Sequence, residues 1–145
     1  MTIVLPIPDR RISPNGQRGH SKGAAIAKAR LVREHRTRAK LRTLEALGLL
    51  YFSKGEPGPT FIGYTLAHFF PTAAWRDDDN ADAACKAYRD GIADALGLDD
   101  RQLPKLALST RSKDAARPRV EITLHTSVPC SSAATIAPDT QPHDP

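Results

Sequence analysis

The chain has 145 residues, 40% of them hydrophobic, 6% aromatic and 26% charged, with a net charge of +5 from 21 Lys and Arg against 16 Asp and Glu. That length suits one domain with a real core but few aromatic rings to fill it. Its two cysteines give no disulfide framework and no metal-ligand spacing, no apolar run nears the ~20 residues that span a bilayer, and no secretory signal is visible. The expectation is a cytoplasmic protein with no membrane partner.

Residues 2–5 are strand formers closed by Pro6 and Pro8 and read as a first strand. A basic loop with the turn signal Ser13, Pro14, Asn15, Gly16 follows, and residues 21–47 are proline-free helix formers with Gly48 as a C-terminal stop. Between Arg18 and Arg42 stand nine Lys and Arg against the single acid Glu34, a local balance of +8. Cations spread along a rigid helix can track phosphates and release counterions, although a basic helix is also often a solvated face. The candidate DNA contacts are Arg18, Lys22, Lys28, Arg30, Arg33 and Arg36, with Arg76 further on. This helix has no aromatic residues for base stacking, which favours backbone and shape readout.

Beyond a loop at 53–59, residues 60–70 read as a strand rich in Phe, Ile, Tyr and Thr. His68, within it, has no second histidine spaced to join it and reads as a hydrogen-bonded or half-exposed histidine rather than a ligand. Then come Arg76, Asp77, Asp78, Asp79 and Asn80. From there Ala81, Ala84, Cys85, Tyr88, Ile92 and Ala95 recur at helical spacing, which predicts one amphipathic helix with Asp79 or Asn80 as N-cap and Gly97 as a left-handed stop. Cys85, on the apolar stripe, reads as an inert core thiol. The order strand, acidic turn, helix is a sound way to present metal ligands.

Three consecutive aspartates exceed what capping uses. Asp77 and Asp79 point the same way on extended backbone, and a third carboxylate from Asp99 or Asp100 would complete an oxygen-rich site for Mg²⁺. Lys86 and Asp90, close to two and three turns beyond Asp79, are expected along the same flank. The plain reading of Lys86 is an ion pair with Asp82 or Asp90. An EF-hand loop fails: counted from Asp77, the positions for glycine and the bidentate glutamate hold Asp82 and Tyr88. Glycoside hydrolysis and Ser or Cys nucleophile chemistry lack supporting motifs.

The segment from Arg76 to Asn80, then Lys86, then Ala93 through Asp100 resembles the signature of the RusA family of Holliday-junction resolvases. The likeness is specific over about 76–103, weaker over Leu5, Pro6, Ile7 and Pro8 and the basic segment behind them, and absent from the C-terminal tail. It implies a Mg²⁺-dependent endodeoxyribonuclease domain over 1–126, with Mn²⁺ as a substitute ion, acting as a homodimer on four-way junction DNA. It also implies that Asp77, Asp79 and Asp100 hold the metal and, with Lys86, form the catalytic set. In some members a lysine stands three residues after the Asn, where this chain has Ala83; here Lys86 stands six after. The alternatives are a junction-binding protein without catalysis and a metal-dependent nuclease for flaps or RNA.

Residues 105–110 and 119–126 read as two further strands about a turn at 112–118; Val120, Ile122 and Leu124 alternate with polar residues. Residues 127–145, rich in Pro, Ser and Thr, read as a disordered tail. The expected fold is α/β (α+β): a single domain with a mixed sheet of about four strands and two main helices.

Overall fold

The computed structural model describes residues 1–13, 22–51, 59–72 and 78–127, the side chains of 49–51, 78 and 100 excepted. Arg18, Trp75, Arg76, Asp77, most of the 53–59 loop and the tail 128–145 lie outside the described residues. Four strands form one mixed sheet: β1 (Thr2–Leu5), β2 (Phe61–Phe70), β3 (Thr110–Lys113) and β4 (Arg119–Thr126), in the order β1-β4-β2-β3. β4 pairs antiparallel with β1 and β2, whereas β3 lies parallel to β2. Alternation along the strands puts Ile3, Leu5, Tyr64, Leu66, His68, Phe70, Val120, Ile122 and Leu124 on one buried face.

The third strand differs from expectation. Residues 105–110 were expected to form it, yet Leu106 and Leu108 within them are 46% and 90% exposed, so burial gives the segment no register. It touches β2 through Tyr64 N–H to the Pro104 carbonyl (3.0 Å) and Leu106 N–H to the Tyr64 carbonyl (2.8 Å). Ladder pairing begins only at Thr110, so β3 enters what reads as a turn in the sequence.

Three helices cover the buried face. α1 (Lys22–Tyr51) runs straight through Gly48; Gly63 and Gly97, and not Gly48, are the positive-φ glycines among the described residues. The single helix expected after the aspartates is two, α2 (Asp78–Ala84) and α3 (Lys86–Leu96). At Cys85 the backbone tightens, its N–H reaching the Asp82 carbonyl three residues back at 3.1 Å. The count of whole turns from Asp79 to Lys86 and Asp90 therefore does not hold. Because α2 starts at Asp78, Asp79 and Asn80 sit inside its first turn rather than capping it. Gly97 ends α3 as expected, at φ 67°, with its N–H and that of Leu98 both returning to the Ala93 carbonyl.

Among its described side chains α1 buries a narrow stripe, His35, Ala39 and Thr43, at four-residue spacing against α3. His35 Nδ1–H donates to the Leu31 carbonyl (2.8 Å) and Nε2 accepts from Asp9 N–H (3.2 Å), a pattern that needs the neutral ring. The imidazole stacks on Tyr88 at 5.1 Å, and Tyr88 Oη donates to the Pro6 carbonyl at 3.0 Å. Arg36 clasps Asp94 with two bonds of 2.6 and 2.7 Å. The helices approach closest at Gly91, where a Cβ would stand 2.1 Å from the Arg36 carbonyl oxygen. Gly91→Ala must push α1 from α3 and is expected to lower stability by about 1–3 kcal/mol, read as a reduced urea midpoint at unchanged slope.

Candidate functional site

β2 delivers the chain to the acidic segment. Its last residues, Phe69 and Phe70, pair with Ser112 and Lys113 of β3, and the connection from β2 to β3 passes over the sheet through α2 and α3. This is a parallel β-α-β crossover, and α2 begins beyond the carboxyl end of β2, where open α/β sheets commonly carry functional groups. Asp79 lies exposed in the first turn of α2. Asp77 lies outside the described residues, and Asp100 opens a 3₁₀ turn, Asp100–Gln102, that packs on α3. Asp99 caps that turn: its Oδ1 accepts Arg101 N–H at 3.0 Å, while its own N–H donates to Gln102 Oε1 at 2.8 Å. Among the described residues no three His, Cys, Asp or Glu side chains gather around one point.

The best-defined polar cluster centres on Asp82, which the sequence did not single out. Oδ1 accepts from His68 Nε2 at 2.9 Å, Oδ2 from Lys105 Nζ at 2.5 Å, and the Ser109 hydroxyl lies 2.7 Å from both oxygens. Burial works against ionising Asp82, but hydrogen bonds from Lys105, His68 and Ser109 outweigh it and hold the carboxyl below its ordinary range. His68 is 1% exposed. Its burial pushes the imidazole below the usual 6.5, and the Asp82 carboxylate opposes this without reversing it. The contact is thus a hydrogen bond from a neutral ring rather than an ion pair. Of the two states expected of His68, hydrogen-bonded or half-exposed, it takes the first and is buried.

Lys86 pairs with Asp90 at 2.9 and 3.2 Å and leaves Asp82 to Lys105. Cys85 is fully buried, and burial pushes its thiol up to about 12, which suits packing and not nucleophilic chemistry. Of the candidate DNA contacts, Lys22, Arg30, Arg33 and Arg36 are exposed on α1 and Lys28 is half-buried. Arg30 bonds Glu34 at 3.0 Å, and Arg36 is committed to Asp94. Arg18 and Arg76 lie outside the described residues. Among the described residues no helix is long and apolar enough to cross a membrane.

No protein-family model matches the chain, and no solved structure matches it. Over 103 residues it is 33% identical to an uncharacterized protein of Xylella fastidiosa (strain Temecula1 / ATCC 700964), across 70% of this chain and 61% of that protein. The chain thus spans about three fifths of that relative's length.

Linear spacing hid the Asp82 cluster because its partners come from β2 and from the 105–109 segment, 14 to 27 residues away. Its signature is pH dependence. Unfolded His68 takes up a proton below about pH 6.5 while folded His68 resists it, so stability falls as pH drops from 7 to 5. The share from Asp82, depressed in the fold from its usual 3.8, persists until pH falls below that value. Urea titrations across pH 7 to 5 are expected to show this decline in the wild type and a flatter profile in His68→Gln.

Proposed function

We propose that the chain is a divalent-metal-dependent endonuclease that hydrolyses phosphodiester bonds in branched DNA, four-way junctions above all. The observation that supports the reading is the start of α2: the helix opens at Asp78, soon after the carboxyl end of β2 in the chain, with Asp79 exposed on its first turn. Asp77, Asp79 and Asp100 are the proposed metal ligands. A carboxylate-only donor set matches the hard-oxygen preference of Mg²⁺, with Mn²⁺ as a substitute. Capping by Asp99 supports Asp100 as the third ligand, since the Asp99 carboxylate already accepts a backbone N–H.

When bound, the ion would acidify a water and offset charge on the scissile phosphate. The chain's own residues supply the rest. Asp79 fixes the position of the site on a helix whose next turn is tied by Asp82 to β2 and to the 105–109 segment, so the carboxylate is held by rigid elements. Exposed cations on α1, Lys22, Arg30 and Arg33 among them, supply a sequence-independent attraction for the DNA backbone. Symmetrical cutting of a junction needs two sites, so a homodimer is part of the proposal.

The test is cleavage of a synthetic four-way junction beside linear duplex and flap substrates in Mg²⁺. Paired symmetrical nicks are expected from the wild type, with a loss of roughly 100-fold or more in Asp79→Asn and retained binding. Binding without cleavage in every divalent metal would leave a junction-binding protein, and preference for flaps or RNA would leave a nuclease of another substrate. Charge reversal at Arg33, Arg33→Glu, is expected to weaken binding across all substrates alike and to lower the salt slope by about one or two.

A further inference from the structure

Beside the α2–α3 junction lies a cavity of about 70 Å³ lined by Tyr64, Lys86, Arg89, Asp90, Ala93 and Leu103. Arg89 Nη1 donates to Tyr64 Oη at 2.9 Å, and the guanidinium carbon stands 5.9 Å from the centre of the Tyr64 ring. Arg89 Nε is buried, yet it finds no hydrogen-bond partner among the described residues. A buried guanidinium N–H without an acceptor is costly, and native structures rarely leave one unexplained. The lining holds two cations and one carboxylate, Asp90, which is already engaged by Lys86. The space is large enough for ordered water or for a tetrahedral oxyanion. Leu103, in its wall, directly follows the turn that carries Asp100.

We infer that this cavity is a phosphate-binding site, in which the Arg89 guanidinium and the Lys86 ammonium, both in its lining, together hold the oxygens of one DNA backbone phosphate. Arginine suits the task because its planar fork presents several N–H groups at fixed angles, and one of them is already fixed on Tyr64. Lys86 then serves as a phosphate anchor beside the turn bearing Asp100. Seated there, a non-scissile phosphate would set which neighbouring bond reaches the carboxylates. The inference rests on the nuclease reading for its ligand, DNA, but not for its measurement.

The experiment follows the Arg89 Nε–H resonance of the full chain by NMR in EDTA, so cleavage plays no part. Inorganic phosphate is one arm and a short DNA duplex the other. A saturable shift with both, weakened several-fold in Lys86→Gln, is the expected result. Arg89→Gln is also expected to lower the salt slope of duplex binding by about one, while Arg89→Lys, which keeps the charge and controls for folding, recovers part of the affinity. A resonance unmoved by either probe overturns the inference, and a shift with phosphate but not with DNA overturns its assignment to the nucleic-acid backbone. A chain that binds in this way but never cuts a junction would sink the nuclease reading and leave the site standing.

Discussion

Much of this molecule hangs on the Asp82 carboxylate. It is the shared acceptor for an imidazole on β2, an ammonium at 105 and a hydroxyl at 109, so one side chain of α2 joins the sheet to the segment that returns to it. Removing the carboxylate would leave a buried imidazole N–H and a partly buried ammonium without acceptors, a larger loss than the bonds themselves. Because 105–109 lacks a buried apolar stripe, this polar anchor and the short contact with Tyr64 set where β3 starts. The same anchor fixes α2, and with it the orientation of Asp79.

What could be read in the sequence follows from which forces are local. The alternation of Val120, Ile122 and Leu124 and the strand formers of 2–5 and 61–70 dictate burial on one face, and those strands lie where the pattern puts them. Gly97 likewise declares a left-handed stop. Gly48 misled because glycine permits a stop without requiring one, and α1 continues. The 105–110 segment misled because apolar residues suggest a strand even where nothing covers them. The break at Cys85 left no trace in the sequence pattern, since Cys85 is itself a buried residue on the apolar stripe that runs across the break.

The site was legible in part for the same reason. A run of aspartates after a strand advertises itself, and the pairing of Lys86 with Asp90 is a four-residue relation on one helix. The cluster on Asp82 and the cavity at Arg89 are built from residues far apart in the chain and have no linear signature. Electrostatically the described surface is uneven: α1 carries a run of exposed cations, while α2 opens on aspartates. Ion pairs such as Arg36 with Asp94 show that part of the positive charge is spent on holding α1 to α3.

The strand order carries a consequence for how the chain reaches its native state. β4, the last strand among the described residues, lies between β1 and β2, and its register joins Thr2 to Thr123. Neither β1 nor the antiparallel ladder on β2 can close before residues near 120 are available, so a growing chain would hold β1 unpaired until then. Helix α1 can form early, but the apolar faces of Ile3, Leu5, Tyr64 and Leu66 must wait. Such distant pairings raise contact order and slow folding. The interval in which those strand edges stay open is when this protein would be most exposed to aggregation or most in need of a chaperone.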